Sequence, residues 1–243
     1  MADADGRQAE PGNRRLDPRR AEAFITENTS VSRPPHVPEI ALQLASEAHD
    51  IWLKTEDELA ELGLPPPFWA FAWAGGQGLA RFVLDHPETV AGRVVVDFAT
   101  GSGLVAIAAL MARASHVTAA DIDPFAETAL ALNLALNRMP RVEGSEAVGK
   151  IGFCADDLVG GSIDAEVLLA GDVFYDRGMA ANVTPWFDTL AASGVTVLVG
   201  DPGRAYLPRD RLERLSEYQV PVSRALEDQE IKRVAVWRWL PPA

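Results

Sequence analysis

The sequence predicts an α/β fold: a seven-stranded, mostly parallel sheet with helices on both faces and an N-terminal helical extension. Three observations carry this expectation. From residue 93 onward, short β-branched runs alternate with helix-length segments, the pattern of parallel strands buried on both faces. Val94-Val-Val-Asp97-Phe-Ala-Thr-Gly101-Ser-Gly103 reads as a strand, a glycine turn and a helix start, and Val117-Thr-Ala-Ala-Asp121 as a strand ending in an acid twenty positions after Gly101. The last two strand-like runs lie close enough in sequence to pair antiparallel.

Residues 1–20 mix arginines with Asp3, Asp5, Glu10 and Asp17 among Pro and Gly. They have no apolar run and are too acidic for a mitochondrial presequence, so they read as a disordered tail. Residues 21–92 form the helical extension and an aromatic loop. Helical periodicity shows best at Ile40, Leu42, Leu44, Ile51 and Trp52, after punctuation by Pro34, Pro35 and Pro38. The segment Pro65-Pro-Pro-Phe-Trp-Ala-Phe-Ala-Trp73 cannot begin as a regular helix. Its rings are placed to fold over a crevice at the end of the first core strand. Gln77 then opens an apolar helix through Leu84.

Residues 93–243 make the core. Strands are expected at 93–98, 116–120, 148–153, 166–171 and 195–200, with a helix at 104–113 between the first two. Asp123 reads as the N-cap of a helix with Pro124 at its first position, running to about Arg138. A helix with a break at Thr184-Pro185 follows the fourth strand. A helix near 208–217 leads to closing strands at 218–224 and 231–239, joined by the polar turn Glu227-Asp-Gln-Glu230.

A chain of 243 residues, 48% hydrophobic, can bury one large core. Its net charge of −13 argues against a nucleic-acid partner and accommodates a basic or lysine-presenting one. The longest apolar run, Leu104 to Ala112, is too short to span a membrane. The single cysteine, Cys154, fits a reducing compartment, hence the cytoplasm, and reads as a buried inert thiol. His36, His49, His86 and His116 show no metal-ligand spacing, so no metal is expected.

The glycine turn and Asp121 point to a nucleoside-containing cofactor: Gly101 and Gly103 admit close backbone approach, and Asp121 can accept both ribose hydroxyls. Gly101-Ser-Gly103-Leu-Val-Ala106 also fits a dinucleotide fingerprint, so the glycines alone do not separate NAD from S-adenosylmethionine. Asp97, four residues before Gly101, does: a carboxylate there suits a cationic methionine moiety and lies awkwardly near a pyrophosphate. Seven strands with an antiparallel ending are the Rossmann-like architecture of class I methyltransferases. Asp156 and Asp157, after the third strand, stand where an adenine amino group is met.

The fourth strand ends Gly171-Asp172-Val-Phe-Tyr175-Asp176, facing the transferable methyl in such a fold. A carboxylate at 172 suits an acceptor that arrives as a cation. A lysine fits, but at a pKa of about 10.4 it must shed a proton at a cost of roughly 4 kcal/mol. Desolvation among Phe68, Trp69, Phe71 and Trp73 lowers that cost. The bland alternative makes Tyr175 a core residue and Asp172 a cap.

Asp172-x-x-Tyr175 after the fourth strand resembles the seven-strand protein-lysine methyltransferases, and most closely those acting on the electron transfer flavoprotein β-subunit. The resemblance is carried by Glu27-Asn-Thr29, Val37-Pro-Glu-Ile40, Pro67-Phe-Trp-Ala70, Trp73-Ala-Gly-Gly-Gln77, Asp121-Ile-Asp-Pro124, Gly171-Asp-Val-Phe-Tyr-Asp176 and Gly200-Asp-Pro-Gly-Arg204. Ala74 stands where a proline is expected. The resemblance implies S-adenosylmethionine as cofactor, contacted by Trp73, Gly101, Gly103, Asp121 and Gly171, with Asp172 and Tyr175 facing the acceptor amine. Asp97 and Asp156 join the cofactor set from the fold-level argument. The implied substrates are the flavoprotein β-subunit and ribosomal stalk protein. The alternatives are a small-molecule N-methyltransferase, a nucleotide-sensing module and a dehydrogenase.

Overall fold

The computed structural model describes residues 17–46, 49, 51, 66–139, 150–222 and 230–241. Its helices are α1 (Pro18–Asn28), α2 (Ala74–Asp85), α3 (Leu104–Met111), α4 (Ala126–Leu136) and α5 (Arg177–Ala192). Its strands are β1 (Ser30–Ser32), β2 (Leu42–Leu44), β3 (Val94–Phe98), β4 (His116–Ala120), β5 (Lys150–Cys154), β6 (Val167–Gly171), β7 (Thr196–Asp201), β8 (Leu212–Pro221) and β9 (Ile231–Trp239).

Seven strands form one sheet in the order β5-β4-β3-β6-β7-β9-β8. The first five are parallel, and β9 runs antiparallel to both β7 and β8. Chain order reverses at β3, whose neighbours β4 and β6 are reached by crossovers in opposite directions. That reversal opens a crevice beyond the carboxyl end of β3, where ligands of open α/β sheets bind.

Alternate strand residues feed two cores. Val95, Val117, Leu169 and Leu198 pack under α2, α3 and α4, whereas Val96, Leu168, Val197 and Val199 pack on α5. The central strands β3, β6 and β7 are buried along nearly their whole length, which explains why they read as apolar runs without alternation.

The extension departs from expectation. Helix α1 begins at Pro18, inside the stretch read as tail, with Asp17 accepting the Arg19 N–H at 2.9 Å. Residues 42–44 are not helical: β2 pairs with β1 as a small antiparallel ribbon. The backbone there is claimed by α4 and its C-cap: the Asn137 (C-cap) and Asn133 side chains accept the N–H groups of Ala41 and Gln43 at 2.9 and 2.7 Å. Trp52 lies outside the described residues.

Two further elements differ. The helix expected near 208–217 is a single 3-10 turn, Arg209–Arg211, followed by strand β8. A β-bulge between Arg214 and Ser216 breaks the two-residue alternation and produces the helix-like spacing. Helix α5 passes through Pro185 without ending, held down by the buried Trp186 and Phe187. Helix α4 starts at Ala126, two residues after Pro124, and ends at Leu136. Residues 148, 149 and 227–229 are not among those described, whereas Glu230 is.

Candidate functional site

The turn after β3 is braced from beneath. Asp97, at 1% exposure, accepts the Thr100 hydroxyl at 2.5 Å and the Ala106 N–H at 2.9 Å, so its carboxylate ties strand, turn and helix α3 together. Burial pushes its pKa up to about 7 against the pull of those bonds. Asp97 therefore braces the turn from the strand side.

Gly101 (φ +52°) donates its N–H to Asp121 Oδ2 at 2.8 Å, and Asp121 Oδ1 accepts the Asp123 N–H at 2.9 Å. Each oxygen keeps a second lone pair for a ligand hydroxyl. Burial raises the pKa of Asp121. Asp123 caps the turn ahead of α4 by accepting the Phe125 N–H at 2.8 Å, and burial raises it to about 7. Gly103 (φ +81°) has a packing role. A Cβ there would lie 2.4 Å from Leu130 Cδ1, so the glycine serves the packing of α4 on the turn. The Asn133 amide donates to Ser102 O at 2.8 Å, joining that same helix to the turn.

The aromatic segment lies against this turn. A Cβ on Gly101 would be 3.6 Å from Trp69 Cα and 3.7 Å from Phe68 O. Trp69 is buried and stacks on Phe125 at 5.5 Å. Phe68, exposed at 42%, reaches Trp73 at 6.0 Å and Tyr175 at 5.6 Å, ring to ring. The Trp73 indole N–H donates to Phe68 O at 3.0 Å, which fixes the indole at the start of α2. A cavity of about 350 Å³ opens beside Trp73, lined by Ser30, Arg33, Leu44, Phe71 and Gln77 among others. It includes none of the residues at the β3, β4 or β6 ends.

At the carboxyl ends of β6 and β7 the backbones nearly touch α2. A Cβ on Gly200 would sit 2.3 Å from Gly75 O, and one on Gly171 would sit 2.9 Å from Gly76 Cα. Gly171 thus accommodates helix α2. This contact brings the Gly76 N–H to Asp172 Oδ2 at 2.8 Å, which makes Asp172 a cap for α2 across the sheet. Asp172 adopts φ +56°, unusual for a residue with a side chain, and is only 8% exposed. Burial raises its pKa to about 7, and the Arg204 guanidinium, 3.2 Å from Oδ1, opposes that rise. Tyr175 stands half-exposed beside it, its hydroxyl pKa raised by burial and then by the charges of Asp176 and Asp121.

Sequence reasoning passed over the residues that complete this end. Asp201 Oδ1 accepts the N–H groups of Gly203 and Arg204 at 2.6 and 2.7 Å, a turn that delivers Arg204 to Asp172. Asp201 Oδ2 is buried with no hydrogen-bond partner among the described residues, and burial raises the group's pKa. The signal was present in Gly200-Asp-Pro-Gly-Arg204, an acid at a strand end followed by a turn and a cation. Asp156 is exposed after β5, and Asp157 accepts the Val159 N–H at 3.0 Å. Cys154 ends β5 half-buried, more open than expected. Among the described residues no group of three or more His, Cys, Asp or Glu could hold a metal, and no helix is long and apolar enough to cross a membrane.

Sheet order and site together define a class I, S-adenosylmethionine-dependent methyltransferase. A solved structure of magnesium protoporphyrin IX methyltransferase from Synechocystis PCC 6803 with bound S-adenosylmethionine shares this fold, with a TM-score of 0.51 and 12% identity over 80% of this chain and all of that one. Residues 82–168 match the family model of ribosomal protein L11 methyltransferase (PrmA). The electron transfer flavoprotein β-subunit lysine methyltransferase of Danio rerio is 36% identical over 89% of this chain and 82% of its own length. That of Homo sapiens is 33% identical over 93% and 84%. The chain belongs to the family of electron transfer flavoprotein β-subunit lysine methyltransferases.

Proposed function

We propose that this protein methylates lysine side chains of the electron transfer flavoprotein β-subunit, with S-adenosylmethionine as donor. The observation that carries the reading is the buried Asp172 carboxylate with Tyr175 beside it at the end of β6, across the crevice from Gly101 and Asp121, in a chain whose relatives of similar length bear that activity in their names. The site suits a cationic donor. Hydrogen bonds to Asp97 and Asp121 come, among the described residues, from backbone N–H groups and one hydroxyl, so positive charge and ligand donors are left for the cofactor to supply.

When bound, S-adenosylmethionine would supply an electrophilic methyl group on a sulfonium, with the thioether as leaving group and water available to take the amine proton. On the donor side, Asp121 would use its spare lone pairs for the ribose hydroxyls. Gly101 gives backbone approach, Trp73 and Phe68 exclude water above it, and exposed Asp156 would meet the adenine. Asp97, Gly103 and Gly171 act by holding the turn and helix α2 in place. On the acceptor side, Asp172 would anchor the incoming nitrogen and Tyr175 would wall its path. Alignment of amine, carbon and sulfur with exclusion of water is the main contribution asked of the protein.

A second acceptor, ribosomal stalk protein, is favoured by the match of residues 82–168 to the L11 methyltransferase model. The single cysteine and the absence of a long apolar run favour work in the reducing cytoplasm. Incubation with isotopically labelled S-adenosylmethionine, the purified β-subunit, stalk protein and a cell lysate tests all of this. Mass spectrometry should find the label on lysine nitrogen of the β-subunit. Label confined to low-mass metabolites would replace this reading with the small-molecule one.

A further inference from the structure

Arg204 is poorly explained as a surface charge. It is carried to Asp172 by a turn that the buried Asp201 carboxylate shapes through two backbone hydrogen bonds, and its guanidinium lies 3.2 Å from Asp172 Oδ1 while the Gly76 N–H occupies Oδ2. The result is a cation placed permanently beside the anchor for a substrate that is itself a cation. An isolated buried carboxylate would grip a lysine ammonium and raise its pKa, holding on to the proton that methyl transfer requires to leave. A fixed positive charge at the same carboxylate does the reverse.

We propose that Arg204 is a positioning residue for the transfer: paired with Asp172, it leaves that carboxylate able to hold a neutral amine but too neutralised to retain an ammonium, so the acceptor lysine sheds its proton at lower pH. The inference rests on the lysine-acceptor reading above. The charged groups around the pair pull in opposite directions: Arg204 favours the ionised form of Asp172, and the Asp201 carboxylate opposes it. Arg204 and Arg209 both act on Asp201, and Tyr175 and Asp176 follow Asp172 on its own segment. Helix α2 contributes only the Gly76 amide. Loss of Arg204 also removes the largest influence opposing the burial-driven rise of Asp172, so the charge of the acceptor ammonium becomes the one that balances the carboxylate and its proton is held to higher pH.

The test measures methylation of the flavoprotein β-subunit from pH 6.5 to 10 at saturating cofactor, for wild type, Arg204→Gln and Arg204→Lys. Arg204→Gln should move the acid limb of the rate profile upward by about 1–2 units, the size of a neighbouring-charge effect. That is a loss of about 10–100-fold at pH 7 which recovers toward wild type near pH 10. A β-subunit carrying the less basic thialysine at the acceptor position should reduce the deficit. Arg204→Lys keeps the charge and should keep the limb in place. A deficit of equal size at every pH and with either acceptor overturns the proposal. If Arg204→Gln cannot bind S-adenosylhomocysteine by calorimetry, Arg204→Lys decides alone, and an upward-shifted limb in that variant overturns it. Failure of the wild type to label any lysine overturns the underlying reading instead, and this one with it.

Discussion

The two ends of the crevice are built from the same material, carboxylates at strand ends, but they are wired differently. Below the glycine turn, Asp97 and Asp121 are held by N–H groups and a hydroxyl from their own and adjoining loops, with no ion pair among the described residues. At the ends of β6 and β7, Asp172 is held by the backbone of a distant helix and by a guanidinium. The first arrangement leaves negative potential for a ligand to neutralise. The second neutralises it in advance. A donor that stays cationic until it reacts suits the first end, and an acceptor that must lose its charge before reacting suits the second.

This contrast is sharpened most by Asp172→Ala. Turnover should fall about 100- to 1000-fold, as when a preorganised electrostatic group is removed, while affinity for S-adenosylhomocysteine stays within a few-fold. Asp172→Asn is the control, because its side-chain oxygen can still accept the Gly76 N–H; a rate close to wild type in that variant would show that the negative charge is dispensable. Asp121→Ala should do the opposite. Cofactor affinity should fall by about 1.5–3 kcal/mol, the worth of hydrogen bonds to a charged acceptor, with kcat at saturation little changed. Unaltered affinity by calorimetry would take Asp121 out of the donor end. The smallest effect concerns the seam between the ends. Gly200→Ala places a methyl 2.3 Å from Gly75 O and should destabilise the fold by about 1–3 kcal/mol in chemical denaturation. A midpoint equal to wild type would mean that α2 can move off the sheet freely.

Strands β3, β6 and β7 were readable from the sequence because central parallel strands are apolar on both faces and need no partner information. Asp121 was readable because the spacing from Gly101 is set by one strand–helix–strand unit. What escaped depended on contacts between distant segments. Nothing local in Ile40-Ala-Leu-Gln-Leu44 reveals that two asparagines on α4 hold its backbone extended. The bulge at Arg214 disguised β8 as a helix. Nothing local shows that Gly103 and Gly171 also make room for Leu130 and Gly76. Arg204 was visible as a letter and gained its meaning only when β7 was laid beside β6.

The asparagines of α4 carry one more consequence. Asn133 accepts from Gln43 with its oxygen and donates to Ser102 with its nitrogen, and Asn137 bonds Ala41 through both atoms of its amide. A single carboxamide therefore latches the amino-terminal ribbon to the glycine turn after β3. Shortened versions of this enzyme that discard the first forty-odd residues would strip a fully buried amide of its counterpart and slacken the glycine turn from behind. The ribbon is best regarded as an outer strut of the binding site and not as an accessory to the catalytic domain.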